Sequence, residues 1–238
     1  MPLPKISTPT YELVIPSSEK KIKYRPFLVK EEKVLIIAME SEDTTQIANA
    51  VKEVISSCIL TRGVKVNELS TFDIEYLFLN IRGKSVGEEV EVLVTCPDDG
   101  VTKVPVTINL DEIQVQVADD HSKDIKLDEN LVLRMKYPSM EEFVKSNFAL
   151  GDVSVDDTFD VVISCIEQVY SEEESWSAKD CTKKELKEFV EQLSSKQFKQ
   201  VENFFATMPK LSHTIMVRNP NTDVENEVVL EGLASFFA

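Results

Sequence analysis

Any chemistry in this chain would have to be built from two histidines, four cysteines and a few runs of carboxylates. His121 stands in a polar stretch and His213 in an alternating, strand-like run. Neither has a cysteine or serine motif nearby that would make it the base for a nucleophile. The six glycines include no GxxxxGK or GxGxxG arrangement, so a nucleotide phosphate has no visible cradle. Asp98 with Asp99, and Asp119 with Asp120, could offer oxygens to a hard cation. Acidic pairs in turns are ordinarily just solvated, however, and the run Glu172, Glu173, Glu174 reads the same way.

A zinc ribbon uses two hairpin tips that each offer two cysteines, since a tetrahedral ion takes four soft or borderline ligands. Here one tip offers Cys96 alone, with Asp99 where its partner would sit, and the other offers Asn219 and Thr222. That set does not make a structural zinc site. The expectation is a protein that is not an enzyme and has no catalytic residue, metal or cofactor.

The elements that would carry these residues are bounded by length and charge. The 238 residues suffice for a substantial core in one large domain or two small ones. With 42 acidic against 26 basic residues the net charge is −16, which repels nucleic acid and anionic membrane surfaces. Such a surface suits solubility, or holding a basic or aggregation-prone protein. No apolar run approaches the roughly twenty residues that span a bilayer. The opening MPLPKISTP lacks the apolar core of a signal peptide, so the sequence predicts a cytoplasmic chain. Cys58, Cys96, Cys165 and Cys181 lie far apart and read as reduced core residues.

The central stretch runs from Lys23 to Leu60. Arg25-Pro26 holds the lead extended, so the first helix starts after Pro26. Val29, Val34, Ile37, Ala38 and the Lys33 stem are expected inward, with Lys30, Glu31 and Glu32 outward. Leu35, Ile36 and Met39 extend the apolar surface around nearly the whole circumference. Residues 41 to 43 break the run, and Asp43 or Thr44 caps a second helix with Ile47, Ala50, Val51, Val54, Ile55 and Cys58 on one stripe. Before it, TYELVIP and KKIKYRP read as a hairpin turning at Ser17, Ser18 and Glu19. After it, Ser70 and Asp73 resemble a capping box that opens an aromatic-rich central helix.

From Glu88 the period becomes alternating. EEVEVLVTCPDDGVTKVPVTINL reads as a hairpin turning at Asp99-Gly100, followed by strands at 111 to 118 and 131 to 138. The segment between them reads as an exposed loop. These strands are expected to form one small antiparallel sheet. Helices are predicted at 139 to 148 and across DTFDVVISCIEQVYS, where Phe159, Val162, Ile163, Ile166 and Val169 point inward. SEEESWSAKD reads as an exposed acidic link with the only tryptophan. Capping boxes at Thr182 with Glu185, and Ser194 with Gln197, open a helical hairpin that stops at Pro209. Two strands around Asn219 to Thr222 and an apolar tip close the chain.

The fold class is therefore α+β: a helical N-terminal subdomain, a small antiparallel β-sheet made of hairpins, and a C-terminal helical hairpin. Four segments follow: an N-terminal hairpin plus helical subdomain at 1–87, an antiparallel β region at 88–138, a helical region at 139–210, and at 211–238 a hairpin whose apolar tip packs on the β region.

The strings RPFLVKEEKVL, AMES at 38 to 41, FDIEYLFLNIRGKSVGE at 72 to 88 and LEGLASFF at 230 to 237 resemble the baseplate hub assembly family of T-even-type contractile-tailed phages. That family includes a hub subunit and a hub assembly catalyst, where the word catalyst means promotion of assembly. The resemblance covers most of the chain and is strongest in its first third. The resemblance implies paired cysteines at the two hairpin tips in some relatives, and this sequence departs from that pattern. The resemblance implies a virus-encoded protein that acts in the host cytoplasm during tail assembly.

The implied function is a non-enzymatic, chaperone-like assembly factor that promotes hub or tape-measure assembly through protein–protein contacts. The alternative is a permanent structural subunit of the baseplate hub in the virion. The expected partners are phage tail hub or tape-measure proteins, with no nucleic acid and no membrane, and oligomerisation is left open. The expected contact residues are Phe27, Leu28, Leu35 and Met39 on the helical pair, and Leu233, Phe236 and Phe237 at the C-terminal tip.

Overall fold

The computed structural model describes residues 6–41, 43–139, 155–232 and 235. The helix predicted at 139 to 148 and the tip residues Leu233, Phe236 and Phe237 lie outside the described residues, Ser139 apart. The chain is α+β, mixing helices with small antiparallel sheets. Backbone packing groups it into two units, Met1–Gln116 with Lys210–Ala238, and Val117–Pro209.

In the first unit, β1 (Tyr11–Val14) and β2 (Lys21–Tyr24) pair with Tyr11 opposite Tyr24 and Leu13 opposite Ile22. Ile15, Ile22 and Tyr24 are buried, so the hairpin contributes core. Helix α1 (Val29–Glu40) follows Pro26 and stops at Ser41. The carboxylate of Asp43 then accepts from the N–H groups of Thr45 at 2.8 Å and Gln46 at 3.1 Å, starting α2 (Thr44–Cys58) as its N-cap. Val51, Val54, Ile55 and Cys58 of α2 are buried, as their stripe requires. Helix α3 (Thr71–Val86) opens at the Ser70–Asp73 capping box and buries Phe72, Ile74, Leu77, Phe78, Leu79 and Ile81.

Also in this unit, β3 (Glu89–Thr95) and β4 (Lys103–Asn109) form a two-stranded hairpin, Val92 opposite Val106. Gly100, at φ +69°, supplies the left-handed residue of its turn. The run predicted at 111 to 118 forms only a short strand, β5 (Gln114–Gln116), which pairs with β10 (Lys210–Arg218), itself paired with β11 (Glu225–Glu231). Leu79, Val92, Val94, Cys96, Ile108, Ile113, Leu211 and Val217 share one core cluster there.

The second unit is a four-stranded antiparallel sheet in the order β6-β7-β8-β9, with helices α4 (Val155–Ser164), α5 (Lys183–Glu191) and α6 (Ser195–Thr207). Its strands are β6 (Asp124–Lys126), β7 (Val132–Met135), β8 (Ile166–Tyr170) and β9 (Ser175–Ser177). Four expectations are corrected here. The helix read through to Tyr170 ends at Ser164, because Ile-Glu-Gln-Val-Tyr pairs with β7 on one side and β9 on the other, Leu133 lying opposite Val169. Its branched and aromatic side chains suit a pleated strand. The acidic link is a hairpin arm carrying Trp176, and the polar loop at 117 to 124 ends in β6. The middle of the chain is thus not one sheet, since its strands are shared among three. Leu133, Met135, Val162, Ile163, Val169, Val201 and Phe204 are the heart of this unit's core.

Candidate partner-binding face

Helix α1 packs inward along Glu31, Val34, Leu35 and Ala38, an i, i+3, i+4, i+7 stripe whose first member is a carboxylate. Glu31 is buried because a built partner meets it. Arg25 Nη2 donates to Glu31 Oε1 at 2.9 Å, and the N–H of Leu28 donates to Oε2 at 2.8 Å. Lys30 Nζ lies 3.2 Å from Oε1. Arg25 also donates to the carbonyl oxygens of Pro26 at 2.8 Å and Ser57 at 3.0 Å, so one guanidinium joins the start of α1 to the end of α2. Burial alone would push the Glu31 carboxyl up. The hydrogen bonds from Arg25, Leu28 and Lys30 outweigh it and hold the carboxyl at about 2.

With Glu31 inside, the large apolar side chains are turned out. Val29 is 80% exposed, Ile36 52%, Ile37 56% and Met39 58%. Val29 and Ile37, expected inward, therefore lie on the outer face, and Glu31, expected outward, lies on the inner one. The helix is apolar nearly all round, so periodicity alone could not choose its face. Ion pairing of the apparently solvated Glu31 with Arg25, six residues earlier, was the missing signal.

Of the expected contact residues, Leu28 and Met39 border this outer face, both exposed. Leu35 is half-buried on the inner stripe. Phe27 is half-buried too, and its N–H donates to Ser85 Oγ of α3 at 2.9 Å. Leu233, Phe236 and Phe237 are outside the described residues.

The two hairpin tips do come together. Asn219 Nδ2 donates to Asp98 Oδ1 at 2.9 Å and to Asp99 Oδ2 at 3.0 Å, and the Thr222 hydroxyl donates to Asp98. The N–H of Asp98 donates to Asn226 Oδ1 at 3.2 Å, and Asn221 Nδ2 to Thr102 Oγ1 at 2.8 Å. Asn219 is fully buried. Hydrogen bonds from Asn219 and Thr222 hold the Asp98 carboxyl below its ordinary range, and those from Thr102, Val101 and Asn219 do the same for Asp99. Burial raises the Cys96 thiol, with the two carboxylates acting in the same direction. Among the described residues no group of three or more histidine, cysteine or acidic side chains is placed to hold a metal.

His121 is held structurally. Its ring packs against Tyr137 and Phe204, with centroids 5.6 Å and 5.3 Å away, and those two rings also touch each other at 5.8 Å. The Thr207 hydroxyl donates to the Asn203 carbonyl, so it accepts from His121 Nδ1 at 3.0 Å, and Nε2 accepts from the Tyr137 hydroxyl at 3.0 Å. His213 pairs across β10 and β11 with Leu230. Cys58, Cys96 and Cys165 are buried and Cys181 is half-buried, and none of the four is in a disulfide. No helix among the described residues is long and apolar enough to cross a membrane.

Comparison with known proteins adds the context that geometry lacks. The family model for T4 bacteriophage base plate protein matches residues 8–238. The baseplate hub assembly protein gp26 of Enterobacteria phage T4 is 24% identical over 233 residues, covering 95% of this chain and 97% of that protein. No solved structure matches the chain.

Proposed function

Because the chain belongs to the T4 bacteriophage base plate protein family, matched over residues 8–238, we propose that it is a non-enzymatic assembly factor for the phage tail baseplate hub. It acts in the host cytoplasm by holding a hub or tape-measure protein through contact alone, as a chaperone does. The observation that carries this reading is the outer face of α1, where Leu28, Val29, Ile36, Ile37 and Met39 stand exposed on a helix anchored from behind by Arg25 and Glu31. Anchoring an apolar face before its partner arrives lowers the ordering cost of association. The net charge of −16 keeps such a surface in solution and favours a partner of opposite sign. Assembly is preferred to permanent residence in the hub because the T4 relative is itself a hub assembly protein.

The test is co-expression with the phage's own tail proteins, followed by affinity capture and mass spectrometry. The wild-type chain should retain a hub or tape-measure protein, and an Ile36→Asp, Ile37→Asp variant of unchanged melting temperature should lose it. Purified virions should lack the chain. Finding it there at fixed copy number would instead make it a structural subunit. Capture that is indifferent to the double substitution would remove α1 from the account.

A further inference from the structure

The second unit has an apolar pocket on which the α1 reading does not draw. A cavity of about 290 Å³ is lined by Leu131, Val169, Trp176, Leu186 and Phe189, with Glu185 among its walls. Trp176, the only tryptophan of the chain, is 45% exposed and lies opposite Val169 in the register of β8 and β9. Half-exposed tryptophan beside an apolar pocket is the composition of a binding hot spot. Strand β9 pairs with β8 on one side, and among the described residues no strand pairs with its other edge, although the Ser177 carbonyl accepts from the Cys181 thiol. The turn that leads into it carries Glu172, Glu173 and Glu174, all exposed and, among the described residues, in no ion pair. From 172 to 191 seven carboxylates stand against four lysines. Two of those lysines are already engaged, Lys183 by Asp160 and Lys184 by Glu188.

We propose that this pocket receives a bulky apolar side chain carried by a lysine- or arginine-rich protein segment laid along the open edge of β9. The cavity takes the side chain, the strand edge takes the backbone, and the glutamate turn selects for positive charge. The site belongs to a different unit from α1, so the chain would grip two segments at once.

The experiment uses the full chain and the fluorescence of Trp176. The probes are short synthetic peptides without tryptophan: one with a phenylalanine between lysines, one with alanine in its place, and one with glutamates replacing the lysines. The lysine–phenylalanine peptide should shift the Trp176 emission saturably and more weakly as salt rises. The alanine peptide should bind about tenfold more weakly, and the glutamate peptide should leave the emission unchanged. Glu173→Lys with Glu174→Lys, two exposed positions, should weaken binding about tenfold at unchanged melting temperature. The Ile36→Asp, Ile37→Asp variant should bind the peptide normally, which separates this site from the α1 reading. No shift with the lysine–phenylalanine peptide, or an equal response to all three, overturns the proposal. So does a Trp176 shielded from acrylamide in the free monomer, where the chain itself would cover the pocket. Burial of Trp176 that follows self-association in sedimentation would assign the pocket to a second copy, and also overturns it.

Discussion

Arg25 Nη2 sits 2.9 Å from Glu31 Oε1, with the two side chains only 14% and 7% exposed. This one pair sets which way α1 faces. A carboxylate on the inner stripe turns Val29, Ile36 and Ile37 to the outside, and Arg25 ties that arrangement to the last turn of α2 through the Ser57 carbonyl. The string RPFLVKEEKVL thereby acquires a physical meaning, since its arginine and its first glutamate are the two halves of the pair.

Removing one half should be worse than removing both. Arg25→Ala leaves Glu31 buried with only Lys30 as a cation, and should lower stability by about 3–5 kcal/mol. Arg25→Met combined with Glu31→Leu should lose clearly less than the sum of the single substitutions. Urea unfolding of the wild type, Arg25→Ala, Arg25→Met, Glu31→Leu and the double variant checks this. Additive losses would show that the two side chains act independently.

Acid should unfasten the same pair. The Glu31 carboxyl is held at about 2 against an ordinary 4.5. Between those values the folded chain binds fewer protons than the unfolded one. Its contribution is complete above pH 4.5 and is lost as pH falls toward 2, amounting to roughly 3 kcal/mol. Glu31→Gln should flatten this acid limb in urea midpoints taken from pH 5 to pH 2.5, while leaving the behaviour above pH 5 to other groups.

His121 gives the second unit its own pH dependence. Burial against Tyr137 and Phe204 lowers its pKa below the ordinary 6.5, Lys123 adds to this, and Asp120 opposes. The neutral ring is the one that donates to Thr207 and accepts from Tyr137. A depressed base binds its proton less readily folded than unfolded, so stability is fully present above pH 6.5 and declines as pH falls below it. NMR titration should place the His121 midpoint below that of the unfolded chain, and His121→Asn should remove the step in stability near neutrality.

What could be read from the chain followed the strength of local signals. Asp43, Ser70, Thr182 and Ser194 each announce a helix start by a side chain that reaches its own backbone a few residues away, and all four caps are present. The Asp99-Gly100 and Asn219 to Thr222 turns set their hairpins in the same local way. The segment from Ile166 to Tyr170 was misread because its apolar positions fit either period, and only pairing with β7 and β9 made it a strand. Glu31 was misread for a related reason: a charge looks solvated until its partner is known, and Arg25 lies on the far side of a proline.

The hairpin-tip clasp yields a prediction about metal as well as stability. Asn219 spreads its two amide hydrogens over Asp98 and Asp99, and it is fully buried. Asn219→Ala withdraws donors from both carboxylates at once and should lower stability by about 1–3 kcal/mol. Asp98→Asn should do so by less, because its amide can still accept from Thr222. If hydrogen bonds alone hold the tips, a strong chelator should leave the melting temperature of the wild-type chain unchanged, and dialysis against zinc should not raise it. A melting temperature that falls on chelation and returns with zinc would mean that an ion, with Cys96 and the neighbouring oxygens as its ligands, holds β3–β4 to β10–β11.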